Sequence, residues 1–594
     1  MCGINAIFRF SKLTKNDVEK ISRMNKQMEY RGPDDNGIWN DDTCAMAHTR
    51  LSIIGGENGH QPLFNQDKSL VLICNGEIYN YRELRKEVAA KGYECKTESD
   101  CEVILYLYEL YGTKCLDYLR GMFAFCLYDK RNKKMFVARD RIGERTLYYA
   151  QVPCGVVVST ELKSILKEYI PNPQINVSRL MEPLRYIAPL DMENTWVNQI
   201  KRLLPGHYME IDSNGIHITR YWEHRRYPSM VCSREEALEQ TLALMQESVD
   251  LTMHSDVPVA VMLSGGIDSS AVAALAKRAG RDVHTITVGF GGEVEYDERS
   301  IARRLAEEKG FDYNEIVLNP EDYEEAFEEL SHYIDEPVTD SAAIAQWVLY
   351  KKIREIGYKV VLSGMGGDEL FFNYAGLNMQ AKARKLHHQF EQICPIDSFE
   401  KKKQWYRIMR AHWKALIMPQ AWHMTNESAY IPWYNDSFKR FIKDATLTLD
   451  GKSYSLIDYA PHQRYPECEI GRELDQAYDD ALDRIMVGAY LYLGDRMCMG
   501  HGLEVRCPLI DHKLVEYALR LPQEMVGLNK SFMKEALKDI LPDYILNGKK
   551  RGFTPTTNYP QMVADKHNYQ YIHTSAPFYP AAVADAMLTN LLSK

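Results

Sequence analysis

At 594 residues the chain is too long for one hydrophobic core and predicts two to four domains. Charged residues at 26% and hydrophobic residues at 45% fit a globular protein, and a net charge of −10 excludes the basic face that a nucleic-acid partner requires. There is no apolar run of about 18 residues and no basic-then-apolar leader, so neither a membrane span nor a secretory signal is expected; the 13 cysteines are scattered without a Cys-x-x-Cys pair, which excludes a disulfide framework or zinc site and points to a reducing cytoplasm.

The chain opens Met1-Cys2-Gly3-Ile4. The small Cys2 side chain permits removal of Met1, and a terminal cysteine then carries two useful groups. Its thiol attacks a carbonyl, and its α-amine, with a pKa near ~8, relays the proton. An isolated cysteine is ordinarily a small buried hydrophobe, so this reading needs the support of other motifs along the chain. Up to about residue 205, short β-like runs alternate with turn signals. Residues 70–74, 121–128 and 134–138 are apolar and β-branched, bounded by Asn-Gly or Asp-Lys, which predicts antiparallel sheet. Leu204-Pro205-Gly206-His207 closes this half, and residues 209–235 read as a polar connection.

From 236 the texture changes. The pattern predicts a helix over 235–251, a strand over 257–263, a helix over 270–280, a strand over 283–290, a helix over 299–309 and a strand over 313–318. A long helical stretch and a strand over 359–362 come next. Strands alternating with helices of this length predict a mostly parallel α/β sheet. Residues 380–490 read as mainly helical, around an aromatic-rich patch from Trp422 to Tyr434.

Strand 257–263 runs into Ser264-Gly265-Gly266-Ile267-Asp268-Ser269-Ser270 and a helix. Two glycines there let backbone N–H groups approach an anion, and the helix N-terminus adds its dipole. The loop lacks the lysine of a Walker A sequence and instead resembles the pyrophosphate loop of the ATP pyrophosphatases. The bland reading is a strand–turn–helix with a serine cap. A second loop, Ser363-Gly364-Met365-Gly366-Gly367-Asp368-Glu369-Leu370, succeeds strand 359–362. The two loops would face one nucleotide from both sides, with Asp268 and Asp368 bringing the carboxylates that suit Mg²⁺. Lys530, by itself an ordinary surface lysine, would stabilise a departing pyrophosphate; Lys549-Lys550-Arg551-Gly552-Phe553 is a further basic segment.

Over residues 2–555 or so these motifs resemble the asparagine synthetase B family of glutamine-dependent amidotransferases. The resemblance implies an α+β N-terminal-nucleophile domain, the class II glutaminase αββα sandwich. An α/β synthetase domain of the ATP-pyrophosphatase type, with helical additions, would come after it. The implied organisation is an amidotransferase domain over 2–208, a linker over 209–235, a synthetase domain over 236–560, and a tail over 561–594 without an assigned role. Arg31-Gly32-Pro33-Asp34 and His48-Thr49-Arg50-Leu51-Ser52-Ile53 match glutaminase motifs. Asn75-Gly76-Glu77 matches the oxyanion and substrate triplet, and Ser99-Asp100 the segment that binds the α-amine. Glutamine is a zwitterion: Arg50 would fork onto its carboxylate while Glu77 and Asp100 take its ammonium, with Ile53 in the same pocket. Cys2 would be the nucleophile, with the Asn75 side chain and Gly76 N–H as oxyanion donors.

In the synthetase half the resemblance assigns ATP contact to Leu263, Ser264, Gly265, Gly266, Asp268, Ser269, Val288, Ser363, Gly364 and Lys530. It assigns Mg²⁺ to Asp268 and Asp368, the acceptor pocket to Met365 and Asp368, and places Asp335-Glu336-Pro337 and Asp340-Ser341 near the synthetase site. The implied partners are L-glutamine, ATP and a carboxylate acceptor, with L-aspartate first; ammonia would pass through the protein interior, and a homodimer is common among relatives. Two departures bear on the acceptor. Met365 stands where asparagine synthetases carry an acidic residue, and Phe372-Asn373-Tyr374 replaces Gly-Gly-Tyr. The alternatives left open are a sugar uronate or specialised-metabolite precursor as acceptor, a ring-closing synthetase of the β-lactam-forming type, and a regulatory protein with an inactive synthetase half. The intact Cys2, Arg50 and Asp100 argue against the ring-closing reading.

Overall fold

The computed structural model describes the chain except residues 1, 186–188, 190, 225–228, 292–296, 320, 339, 341, most of 375–396, 417–440, 442, 460–472, 549–558, 577–578 and 593–594. The expected aromatic patch from Trp422 to Tyr434, the basic segment from Lys549 and residue Ser341 lie outside the described residues.

Two six-stranded antiparallel sheets form the N-terminal half. The first runs in the order Lys201–Arg202, Tyr148–Val152, Gly155–Ser159, Gly3–Arg9, Cys44–Arg50, Asp35–Asn40. The second runs Gly215–Arg220, His207–Asp212, Lys134–Arg139, Gly121–Asp129, Leu70–Ile78, Leu63–Phe64. Period-2 alternation along Gly3–Arg9 sends Ile4, Ala6 and Phe8 into the seam, where Met46, Val71, Ile73, Cys126 and Val158 meet them. On the other face of that strand, Ile7 packs with Ile21 and Met24 of helix Lys15–Gln27. Helix Val103–Tyr111 covers the second sheet, completing an αββα sandwich. The stretch expected as a polar connection from 209 is instead, over its first part, an edge hairpin of this sheet. Met209 and Ile211 are buried on either side of Glu210, a short period-2 alternation that the reading as a polar connection passed over.

The C-terminal half is built on a five-stranded parallel sheet in the order Asp312–Leu318, His284–Phe290, Val259–Met262, Val360–Leu362, Glu504–Arg506. Read by chain position the order is 3-2-1-4-5, so connections diverge between Val259–Met262 and Val360–Leu362 and open a crevice at their carboxyl ends. The first three strands, helix Arg299–Lys309 and the helix Arg234–Thr252 occur within a few residues of expectation. Ser233 caps the latter helix in a capping box with Glu236. The fifth strand, only three residues long, carried no readable period. Within the region read as mainly helical, Thr446–Leu449 and Lys452–Ser455 form a hairpin that pairs with Ile572–His573. Helix Tyr579–Leu592 is buried on nearly every side and packs against helix Glu321–Tyr333. Among the described residues no helix is long and apolar enough to cross a membrane.

The halves meet through a buried set of charges. Arg31 donates to Asp495 through both terminal nitrogens at 3.0 and 2.9 Å and to Glu161 at 3.2 Å. Arg496 bridges Glu161 and Asp335, and Lys163 pairs with Glu161 at 3.2 Å. Three cations thus face three carboxylates out of water. Asp335 and Glu336, expected near the synthetase site, belong to this interface: Asp335 accepts the Leu162 N–H, and Glu336 pairs with Arg202 and Tyr148. At the rim, Lys359 meets Asp34 and Arg120 meets Asp511, each at 2.8 Å.

Candidate active sites

Cys2 precedes strand Gly3–Arg9, whose register sets Gly3 opposite Thr49, so Arg50 lies alongside Cys2. The Cys2 N–H donates to Asn75 Oδ1 at 2.9 Å, and Arg31 Nε donates to the Cys2 carbonyl at 3.1 Å. Burial pushes the thiol up to about 11, against the nearby N-terminal charge, a hydrogen bond from Leu51 N–H and the Arg50 charge. A preformed thiolate is therefore disfavoured. Asn75 Nδ2 is buried without a hydrogen-bond partner among the described residues, leaving one strong donor beside Cys2. Gly76 has φ of +150°, and a Cβ there would strike the backbone of Met122 and Phe123 on the paired strand, so only glycine fits.

The Arg50 guanidinium donates to Gly56 O at 2.6 Å and Ile54 O at 3.0 Å, which fixes its plane. Ile53 is buried next to it, and its carbonyl accepts the Asp256 N–H at 3.1 Å. Asp100 accepts the Ile78 N–H at 2.6 Å; burial raises it to about 6 although that hydrogen bond opposes the shift. Burial, followed by the charges of Asp100 and Glu504, pushes Glu77 well above the usual carboxylate range. All seven residues expected around glutamine, Cys2 included, thus lie in one buried neighbourhood.

The crevice of the parallel sheet holds a cavity of about 610 Å³. From the first loop it is lined by Leu263, Ser264, Gly265, Gly266, Asp268 and Ser269, and from the neighbouring strand by Val288. From the second loop come Ser363, Gly364, Met365 and Asp368, with Lys530 closing the far side. Every residue expected to meet ATP or the acceptor therefore borders one space. Helix Ile267–Arg278 starts after Gly266 with no side-chain cap among the described residues, so its first N–H groups are left for an anion. Ser264 Oγ accepts the Gly266 N–H at 3.1 Å and meets Ser269 Oγ at 2.9 Å, holding the loop open.

Lys530 is buried and pairs with Asp268 and, at 2.7 Å, with Asp368. Burial alone would lower its ammonium, but the two carboxylates outweigh it and hold it above the ordinary lysine range. Lys530, Asn529 and Phe372 all have left-handed backbones, near +57°, +56° and +51°. The Lys530 and Asn529 N–H groups donate to the carbonyls of Phe371 and Phe372 at 3.0 and 2.9 Å, which locks this strained pair of turns. Asn373 also lines the cavity and donates to Asp368 at 2.5 Å.

Sequence reasoning missed Lys534, Asn529 and Gln346 in the lining. Lys534 had a readable signal, because it lies four residues after Lys530 at the start of helix Ser531–Ala536. It also missed Arg506, whose carbonyl accepts the Ser363 N–H at 2.8 Å while its side chain turns toward Glu77.

Residues 1–222 match the family model described as glutamine amidotransferase domain, and residues 240–588 match that described as asparagine synthase. The chain is 30% identical to "Asparagine synthetase [glutamine-hydrolyzing] 1" of Bacillus subtilis, over 93% of this chain and 87% of that protein. It is 27% identical to "Amidase chyE" of Penicillium rubens, over 93% of this chain and 88% of that protein. Among solved structures, glutamine phosphoribosylpyrophosphate amidotransferase from B. subtilis complexed with ADP and GMP aligns at a TM-score of 0.29 and 15% identity, over 61% of this chain and 81% of that chain. On the two family models and the full-length relative, the chain belongs to the asparagine synthase family as a glutamine-hydrolysing, asparagine synthetase-like ligase with an N-terminal amidotransferase domain.

Proposed function

We propose that the protein frees ammonia from glutamine at Cys2 and uses it to amidate a carboxylate that ATP has adenylated in the crevice of the parallel sheet. The observation that carries this reading is the gathering of the ATP-loop residues, Met365, Asp368 and Lys530 around one cavity, with the Cys2 neighbourhood in the other half. After loss of Met1, the nitrogen now hydrogen-bonded to Asn75 Oδ1 is the α-amine. The attack proceeds with transfer of the S–H proton to that amine as the S–C bond forms. Asn75 Nδ2 and the Gly76 N–H take the developing oxyanion. Ammonia leaves with the relayed proton, and water then releases glutamate from the thioester. Arg50 holds the substrate carboxylate, and Glu77 with Asp100 holds its ammonium.

In the second half the acceptor carboxylate attacks the α-phosphorus of ATP, and pyrophosphate departs toward Lys530 and the uncapped helix start. Ammonia attacks the acyl carbon, giving the amide and AMP. Two carboxylates that already share one cation, the Lys530 ammonium, fit the donor set of Mg²⁺. Asp268 and Asp368 would hold that ion, which would neutralise phosphate charge when bound with the nucleotide. The division of labour follows the two folds, with the boundary between the hairpin strand that ends at Arg220 and the helix that starts at Arg234.

Aspartate is the first acceptor in this proposal. A second reading, another carboxylate such as a sugar uronate or specialised-metabolite precursor, is favoured by Met365, which brings an uncharged thioether to the cavity wall. A screen of carboxylates for glutamine-dependent AMP release decides between them: release with aspartate supports the first, and its absence there with release elsewhere supports the second. In the same assay Cys2→Ala is expected to lose glutamine-dependent amidation and keep amidation from ammonium salts. Joint loss of both would contradict two separate sites.

A further inference from the structure

The glutamine pocket borrows a charge from the other half of the chain. Arg506 ends strand Glu504–Arg506 of the parallel sheet and is fully buried. Its Nε donates to Glu504 at 2.7 Å, and its Nη1 donates to the carbonyls of Thr252 and His254 at 2.8 and 2.6 Å. These bonds come from the synthase half and fix the guanidinium plane. The remaining nitrogen, Nη2, is buried without a hydrogen bond among the described residues and faces Glu77 Oε2 at 3.6 Å. Glu77 Oε2 is likewise buried without a hydrogen-bond partner among them. A carboxylate oxygen in that state is a site awaiting a donor, and a glutamine α-ammonium is such a donor.

We propose that Arg506 is a positioning residue of the glutamine pocket, anchoring from the synthase half the Glu77 carboxylate that receives the substrate ammonium. This rests on Glu77 being a partner of that ammonium. Burial and the carboxylates of Asp100 and Glu504 all oppose ionisation of Glu77; Arg506, ahead of the N-terminal charge, works against them. Removing its charge leaves the oxygen misplaced and poorer in charge, so ammonium recognition weakens while the chemistry at Cys2 is untouched.

The test measures glutamine hydrolysis by the full chain in Arg506→Gln and Arg506→Lys, with ammonium-dependent amidation as the check on the fold. Arg506→Gln is expected to raise the glutamine KM about tenfold, with kcat within about twofold. Hydrolysis of glutaramate, which is glutamine without its α-amine, is expected to change less than about twofold. Arg506→Lys, which keeps the charge without the fork, should recover part of the KM; it carries the same test if Arg506→Gln does not fold. An unchanged glutamine KM, or equal losses on glutamine and glutaramate, overturns the proposal. Glu77→Gln run in parallel separates the two ideas: no selective effect there means the pocket reading itself fails, whereas an effect there without one at Arg506 overturns the anchoring role alone.

Discussion

Asn75 does two jobs with one amide: its oxygen holds the Cys2 nitrogen at 2.9 Å and its nitrogen is left buried and open. Asn75→Ala is expected to lower the kcat of glutamine hydrolysis on the order of 100- to 1,000-fold, as for loss of one oxyanion donor, with ammonium-dependent amidation preserved. A fall of only a fewfold would remove Asn75 from the oxyanion role. Asp100 supplies a pH dependence whose sign can be worked out. Its carboxyl is raised to about 6 by burial, and it is crowded by Glu77 and Glu504 with Arg506 opposing. Because the substrate ammonium needs an ionised partner, kcat/KM for glutamine should fall as pH drops through about 6, where Asp100 takes its proton. The same raised value means that the Asp100 carboxyl favours the folded state at low pH and gives up that contribution as pH rises through about 6. A flat profile between pH 5 and 7, roughly the range bracketing that value, would exclude Asp100 as the ionised partner of the substrate ammonium.

At the scale of the element, the two strand-ending loops work because their backbones touch. A Cβ on Gly364 would lie 2.5 Å from Ser269 N and 2.8 Å from the Asp268 carbonyl carbon, at the start of the phosphate-facing helix. Gly364→Ala must therefore push the two loops apart. Displacements of about 1 Å at a reacting centre cost on the order of a hundredfold, so ATP–pyrophosphate exchange should fall by about that much while glutamine hydrolysis stays near normal. Retained exchange would show that the loops tolerate separation and that their contact is incidental. The same closeness explains why the second loop reads poorly on its own. Its helix, Gly367–Leu370, is only four residues long, and its place beside Asp268 exists only in three dimensions.

For the whole molecule, the interface sets a buried charge cluster beside apolar and aromatic contacts such as Tyr30 against Tyr333. Arg31, Arg496 and Lys163 are balanced by Glu161, Asp495 and Asp335. Such a cluster adds little net stability over a hydrophobic replacement, but breaking one member leaves an uncompensated charge costing about 3–5 kcal/mol. Arg31→Gln should accordingly lower the thermal transition of the chain markedly, whereas Arg31→Met combined with Asp495→Leu should recover much of it. If the single variant melts with the parent, the cluster does not hold the halves together. Beside it, strand Glu504–Arg506 reaches both sites, with the Arg506 carbonyl on Ser363 and the Arg506 side chain toward Glu77.

The sequence by itself separated an antiparallel β half from a parallel α/β half and set their order, because period-2 runs, helix-length spacing and the glycine loops are local signals written into a few consecutive residues; the more specific folds rested on the family resemblance. It also named many of the residues that border the cavity and the Cys2 neighbourhood, since each motif keeps its chemistry within a few positions, while Lys534, Asn529, Gln346 and Arg506 escaped it. Only the tertiary structure decided what crosses between the halves. Arg31 and Asp495 are 464 positions apart, and Arg506 approaches a glutamate of the other half, so no pattern along the chain links them. Asp335 and Glu336 looked like site residues and became interface anchors for the same reason: a buried carboxylate is defined by the cation that meets it, and that cation comes from a distant part of the chain.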